Sequence, residues 1–293
     1  MVKGLYTAYT GMVAEQQRMD IETNNLANVN SAGYKEQRAV LQPFRDYLGL
    51  KIKDYTDAPW TAKRLGGLNP GVKMIGSYTN FEQGAMQSTG GDFDLALNNT
   101  LENTTSDQVK DNMFGGGNAF FAILVGQPAG TPDPEQLEGG QLIKYTRDGS
   151  FTLTGDGYLV TSEGNNVLDV NGQPIQVNPD LHTTILPDGR VVQDGQELQM
   201  IQVARFSDPH LLEPYETNAF IIPQDGPELL STTAAEAMAS VNQGYLESSN
   251  VSVVDEMVNI ITIQRDYETN QKMIQTEDDT LQIAVQQLGK LTG

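Results

Sequence analysis

Cysteine is absent from the 293 residues, which rules out a disulfide framework and any thiolate metal centre. It also suits a chain that must stay unlinked while unfolded. Histidine occurs twice, at His182 and His210, in unrelated contexts. No His-Glu-x-x-His, Walker loop or Gly-x-Ser-x-Gly is present. Basic side chains are scarce: 18 Lys and Arg stand against 38 Asp and Glu, for a net charge of −20. No basic stripe exists, so a nucleic-acid surface is not expected. Long apolar runs are also missing. The longest strongly apolar one, Ala119 to Val125, is far too short to cross a membrane. Near the start, Gly4 to Ala14 is interrupted by Thr7, Thr10 and Gly11 and closed by Glu15. That is a poor signal-peptide core, with no small-residue cleavage site after it. If the protein leaves the cytoplasm, the expected route is one that cleaves no standard signal.

The charge that is present is unevenly spread. Residues 82–240 hold 5 basic and 23 acidic side chains, residues 1–81 hold 10 and 7, and residues 241–293 hold 3 and 8. Near-neutral ends can pack against copies of themselves, while an acidic middle repels its like and stays solvated. The hydrophobic share is 38% and the charged share only 19%. Asn and Gln fill the difference, giving polar surface that can be buried between chains without the cost of burying charge.

Periodicity separates the ends from the middle. Residues 1–30 read as a helix, with Leu5, Met12, Met19 and Leu26 seven apart, and with Asn28, Asn30 and Gly33 as stop signals. Residues 250–291 read as a longer helix, with Val253, Ile260, Tyr267, Ile274, Leu281 and Leu288 again seven apart and with Ser252 or Asp255 as a cap. Such spacing predicts a coiled-coil seam. The positions four residues on, Met257, Gln264, Gln271, Asp278 and Val285, are polar in the centre, so the seam reads as narrow. One apolar residue per seven buries too little to order two isolated helices. Neighbouring subunits are therefore expected to complete them, and these ten seam residues are the expected subunit interface.

The middle reads as all-β. Asp148-Gly149, Asp156-Gly157, Asn171-Gly172, Asp188-Gly189, Asp194-Gly195 and Asp225-Gly226 are hairpin-turn signals. Between them lie the β-rich runs Ser150–Leu153, Tyr158–Thr161, Thr183–Leu186 and Leu198–Phe206. Residues 36–80 read as an extended arm or irregular strand pair, with the lone Trp60 as an anchor, and residues 98–116 and 126–140 as surface loops. The expected divisions are 1–35, a helix; 36–81, the arm; 82–240, the β-rich domain; and 241–293, the second helix. The fold class is mixed and mainly β. Nothing points to a catalytic triad or to a carboxylate pair for glycoside hydrolysis, and the Asp-Gly turns do not match a calcium loop. No catalytic residue, metal site or cofactor is expected.

The segment Thr23-Asn24-Asn25-Leu26-Ala27-Asn28-Val29-Asn30-Ser31-Ala32-Gly33-Tyr34-Lys35 closely resembles the signature of flagellar rod and hook proteins. Within it Asn24, Asn25, Leu26, Ala27, Asn28, Gly33 and Tyr34 are the family-motif residues. Three further blocks agree in order. Ser88–Leu97 with Gly117–Val125 is similar to a family strand pair. Tyr145–Phe151 through Gly157–Val160 resembles the family's central hairpin. Gln243–Val251 through Gln264–Glu268 resembles its C-terminal signature. The resemblance covers nearly the whole chain. It implies two terminal helices in an inner coiled-coil tube with a β-rich domain outside. It further implies helical self-polymerisation around a central channel, contacts with neighbouring rod and hook proteins, and unfolded passage through the flagellar type III export apparatus. A location in the basal body, outside the cytoplasmic membrane and without membrane insertion, goes with it. Within the family, length favours the distal or proximal rod over the hook, and the arm at 36–80 is similar to the stiffening segment of distal rod subunits, so the distal rod is the expected position. The residues alone also admit a secreted polysaccharide-acting enzyme or adhesin with helical anchors.

Overall fold

In the computed structural model, residues 2–51, 63–99, 119–125, 142–215, 217–223 and 226–291 are described. Trp60, Asp225, residues 126–140 and most of 98–116 lie outside them. The chain forms two compact units. The first comprises residues 1–26, 37–78 and 252–293, and the second residues 27–36 and 79–251. The architecture is mixed and mainly β, with one long helix at each end of the chain.

In the first unit, α1 spans Val2–Ala27 and α2 spans Val253–Leu291. Ser252 caps α2: its Oγ accepts from the Asp255 N–H at 3.5 Å, and Asp255 and Glu256 occupy the first turn, where acidic side chains oppose the positive end of the helix dipole. The two helices pack antiparallel. A side chain at Gly4 would meet Glu277, one at Gly11 would meet Asn270, and Asn25 hydrogen-bonds Glu256. The contacts thus climb α1 and descend α2 in steps of seven or multiples of it. On α2 the inward face is made by Glu256, Ile260, Ile263, Tyr267, Asn270, Ile274, Glu277 and Leu281. The second row lies three residues after the first, not four, so the predicted companions Met257, Gln264, Gln271, Asp278 and Val285 point away and are exposed. Steps of three and four alternate on one face in either order, and the contacts of Glu256, Asn270 and Glu277 with α1 fix which order is inward.

The rest of the first unit is a pair of two-stranded antiparallel ribbons. Strand β1 (Gln37–Pro43) pairs with β4 (Val72–Thr79), and β2 (Tyr47–Lys51) pairs with β3 (Lys63–Leu68). The expectation of an irregular strand pair at 36–80 therefore corresponds to two successive ribbons.

The second unit is built around β7 (Ala119–Val125), a strand buried on both faces. Ala119, Phe121 and Ile123 face one apolar cluster with Leu95, Phe151 and Val203. Phe120, Ala122 and Leu124 face another with Phe81, Tyr145 and Phe220. This is why the longest apolar run of the sequence is continuous and not alternating. Strand β7 pairs with β8 (Leu142–Thr146), β11 (Asn166–Val167) and β15 (Val203–Phe206). Strands β5 (Met86–Ser88) and β6 (Leu95–Asn99) do not pair with it. They pair with β20 (Tyr245–Glu247) and β19 (Ala239–Gln243). The strand pair expected from Ser88–Leu97 and Gly117–Val125 is therefore replaced by pairing with the C-terminal segment. Asn98 and Asn99, expected in a loop, belong to β6.

Most turn signals behave as expected. Asp156-Gly157 closes β9 (Phe151–Leu153) onto β10 (Leu159–Thr161). Asp188-Gly189 closes β12 (Thr183–Ile185) onto β13 (Arg190–Gln193). Asp194 and Gly195, with φ of 50° and 78°, form the two-residue turn to β14 (Gln196–Met200). Positive φ at both central positions is the type I′ geometry whose twist matches the strands it joins. The run Leu198–Phe206 is two strands, broken at Ile201-Gln202. Asp148-Gly149 makes no hairpin turn. A side chain on Gly149 would stand 1.7 Å from the Leu95 carbonyl oxygen, and the Leu95 N–H donates to the Gly149 carbonyl at 3.0 Å. This glycine serves a close backbone approach.

Candidate functional site

The motif at residues 23–35 is divided between the two units, and each half makes its own junction. In the first unit Asn25, fully buried, pairs with the backbone of Gln37. Its Nδ2 donates to the Gln37 carbonyl at 2.8 Å, and its Oδ1 accepts from the Gln37 N–H at 3.0 Å. Nδ2 also donates to Glu256 Oε1 at 3.3 Å. One amide side chain thus ties the end of α1 to the start of β1 and the first turn of α2. It does so by offering the paired donor and acceptor that a strand would offer. Helix α1 ends two residues later, where the Ser31 N–H donates to the Asn28 carbonyl and Ser31 Oγ to Asn28 Oδ1. Asn24 and Ala27 are exposed, and Leu26 and Asn28 are half-buried.

In the second unit Gly33, Tyr34 and Lys35 are all buried. Gly33 has φ of +67°, and a side chain there would come within 2.4 Å of the Arg147 backbone. Its N–H donates to the Glu247 carbonyl at 2.8 Å. Two residues on, Lys35 Nζ donates to Glu247 Oε1 and to the Glu82 carbonyl, both at 2.7 Å. Arg147 Nε stands 3.0 Å from Glu247 Oε2, and Arg147 Nη1 donates to the Ala119 carbonyl at 2.6 Å. The Gly84 N–H completes the set, donating to Glu247 Oε1 at 2.9 Å. Lys35, Arg147 and Glu247 are between 1% and 3% exposed. The cluster therefore holds two cations and one anion in the interior, joining the N-terminal motif, the segment after β8 and the C-terminal strand β20.

Burial depresses the Lys35 ammonium to about 8, helped by the neighbouring Arg147 charge and opposed by Glu247. Burial pushes the Glu247 carboxyl up, but Arg147 and Lys35 together outweigh it and hold the group below its ordinary range. A buried ion cluster of this kind adds little net stability over an apolar one, but it is costly to break. Its chemistry is that of a latch that accepts one arrangement of three segments.

A second belt of amides surrounds it. The Glu36 N–H donates to Asn250 Oδ1 at 2.8 Å. Asn250 Nδ2 donates to the Asn80 and Glu82 carbonyls at 2.9 and 3.2 Å. Asn218 Nδ2 donates to the Ala32 carbonyl at 3.0 Å. Sequence reasoning marked Gly33 and Tyr34 but missed Lys35, Arg147 and Glu247 as a unit. Each lies inside a recognised block, and the signal was the presence of a charged residue in each of three otherwise weakly charged, glycine-bearing blocks.

Of the expected interface residues, Leu5 and Val253 are exposed, while Met12, Met19, Leu26, Ile260, Tyr267, Ile274 and Leu281 are half-buried. The Leu288 side chain lies outside the described residues. The two histidines sit in different elements. His182 precedes β12, and His210 lies in the short helix Pro209–Leu211 with its ring 5.5 Å from that of Phe81. Among the described residues no group of three or more His, Asp or Glu could hold a metal ion. No described helix is long and apolar enough to cross a membrane.

Comparison with known proteins matches three regions of the chain. Residues 5–35 match the family described as flagella basal body rod protein, residues 116–193 the flagellar hook protein FlgE/F/G D1 domain, and residues 242–287 the flagellar basal body rod FlgEFG protein C-terminal region. The chain is 34% identical to the flagellar basal-body rod protein FlgG of Borreliella burgdorferi, over 97% of its own length and 98% of the relative's. It is 32% identical to the rod protein FlgF of Caulobacter vibrioides over 99% and 100%. It is 30% identical to the flagellar hook-basal body complex protein FlhO of Bacillus subtilis over 99% and 100%. The three segments that meet at the buried latch each fall within a matched region, and the chain belongs to the flagellar basal-body rod protein family, a structural family and not an enzymatic one.

Proposed function

We propose that this protein is a structural subunit of the bacterial flagellar rod, polymerising helically into a hollow shaft that carries torque from the motor to the hook. The observation that carries this reading is the antiparallel pairing of the two terminal helices, which leaves large apolar side chains exposed along both. In an isolated chain such side chains gain nothing, whereas in a shaft they bury against adjacent copies. The helices supply the inner coiled-coil layer, with Leu5, Met12, Met19, Leu26, Val253, Ile260, Tyr267, Ile274, Leu281 and Leu288 at or beside subunit contacts. Residues 82–240 form the outer layer, and their net acidic charge keeps it solvated. The subunit works in the basal body, in the cell envelope outside the cytoplasmic membrane, beside other rod and hook proteins. It reaches that position unfolded through the flagellar export apparatus.

The distal rod is the favoured position. The ribbons of residues 37–79 present Leu41, Ile75 and Tyr78 to solvent, as befits an arm that stiffens a shaft by gripping its neighbours. A proximal-rod or hook-type position is the second reading, since relatives bearing different rod and hook-basal body names match over similar lengths.

Assembly tests the proposal. Concentrated full-length protein is expected to form rods or tubes by sedimentation and electron microscopy. Leu281→Asp is expected to abolish them while leaving the β-sheet circular dichroism intact. Normal polymers from that variant would sink the assignment of the helical seam.

A further inference from the structure

Residues 239–251 end the second unit, and they cross it as one continuous strap. Strand β19 lies antiparallel along β6, from Ala239↔Asn99 to Gln243↔Leu95. The chain bends at Gly244, with φ of +80°, and β20 continues antiparallel along β5, from Tyr245↔Ser88 to Glu247↔Met86. The bend itself is bonded. The Gly244 N–H donates to the Asp94 carbonyl at 2.7 Å, and the Gly244 carbonyl accepts from the Thr89 and Gly90 N–H groups at 2.9 and 3.1 Å. Gln243 reaches across to β12. Its Oε1 accepts from the Ile185 N–H at 3.0 Å, and its Nε2 donates to the Asp92 and Thr183 carbonyls at 2.7 and 3.1 Å. Val241 is buried in the same apolar cluster as Leu95, Phe121 and Val203. Glu247 then seats between Lys35 and Arg147.

Two features make the rest of the unit depend on this strap. The first is pairing. Among the described residues β5 and β6 pair with β20 and β19 alone, and they are three and five residues long. Strands so short, with both edges open, have no independent stability. The second is charge. Among the described residues the ion pairs of Lys35 and Arg147 run to Glu247 alone. The Glu82 side chain, whose charge also reaches Lys35, is exposed. With the strap away, the interior would hold two cations and no anion, which a low-dielectric interior penalises heavily.

We propose that residues 239–251 are a closing strap on whose seating the folding of the β-rich unit depends, so that the sheet around β7 is not stable until Glu247 reaches Lys35 and Arg147. Chain order gives this a consequence. The strap follows every other strand of its unit, so a chain released N-terminus first stays open until the strap is out. The inference goes beyond the rod reading above and does not depend on it.

Refolding of the full-length chain from urea, followed by pulse-labelled hydrogen exchange, tests it. The amides of β7 and β8 are expected to gain protection in the same kinetic phase as those of Val241, Gly244 and Ser248. Protection of β7 and β8 in an earlier phase, with the strap amides still exchanging, would overturn the proposal. Glu247→Gln keeps the shape of the side chain and removes the anion. It is expected to slow protection of strap and sheet together, by about tenfold or more. A Glu247→Gln chain that refolds at the wild-type rate and merely unfolds faster would mean that the strap seats after the sheet, and would overturn the proposal too. If that variant does not fold, Gln243→Ala takes its part with the same two outcomes, since it removes three bonds of the strap and leaves every charge in place.

Discussion

Glycine is required at Gly33 for two separate reasons, and each can be measured. Its φ of +67° lies in the left-handed region, and the Arg147 backbone fills the space a side chain would need. Gly172 has a similar φ of +76° but open space around it. Gly172→Ala should therefore cost only the left-handed penalty, about 1–2 kcal/mol, while Gly33→Ala should cost distinctly more, as read by urea denaturation. The latch residues are unequal in the same sense. Glu247→Ala strands two buried cations and should destabilise by about 3–5 kcal/mol. Lys35→Met leaves Arg147 still facing Glu247 and should cost markedly less. Equal losses from the two would contradict the arrangement of one anion between two cations.

Among the elements, the helix pair depends on closeness as much as on apolar area. A Cβ at Gly11 would stand 3.0 Å from Asn270 Nδ2, so the backbone of α1 approaches α2 where the side chain is smallest. Gly11→Leu should force the helices apart, at a cost of about 1–3 kcal/mol typical of overpacking. The observable is a lower melting temperature of the helical signal at 222 nm with the β-sheet signal unchanged. The polar inward residues Asn270 and Glu277 make this a helix pair of limited strength but fixed register, because a shift by one turn would set buried polar atoms against the wrong neighbours.

For the whole molecule, pH should act through the latch. Glu247 is held below its ordinary value of 4.5, so the unfolded chain takes up that proton first as pH falls. Its stabilising contribution is complete above about pH 4.5 and is lost progressively below it. Lys35 acts with the same sign in a higher window. Its folded value of about 8 lies under the ordinary 10.5, so the unfolded chain binds more protons between those limits and stability rises with pH across that window. Wild type should gain on Lys35→Met between pH 8 and 10.5 in chemical denaturation. A constant difference across that range would mean that Lys35 is not held in its depressed state.

Much of this plan was legible in the order of the residues. Helix ends followed from Asn28, Gly33 and Ser252, and the hairpins from Asp156-Gly157, Asp188-Gly189 and Asp194-Gly195, because capping and turn chemistry are local. The seven-residue spacing of Ile260, Tyr267, Ile274 and Leu281 marked the inward side of α2 for the same reason. What local pattern could not supply was the partner of each element. Three-dimensional packing decided that the second inward row of α2 is Ile263, Asn270 and Glu277, that β5 and β6 pair with the C-terminal strands and not with β7, and that Gly149 serves a backbone contact. It also brought Lys35, Arg147 and Glu247 together from positions separated by 112 and 100 residues in the chain. Periodicity is written into a single segment, whereas the choice of neighbour depends on which buried charge and which small residue find each other across the whole chain.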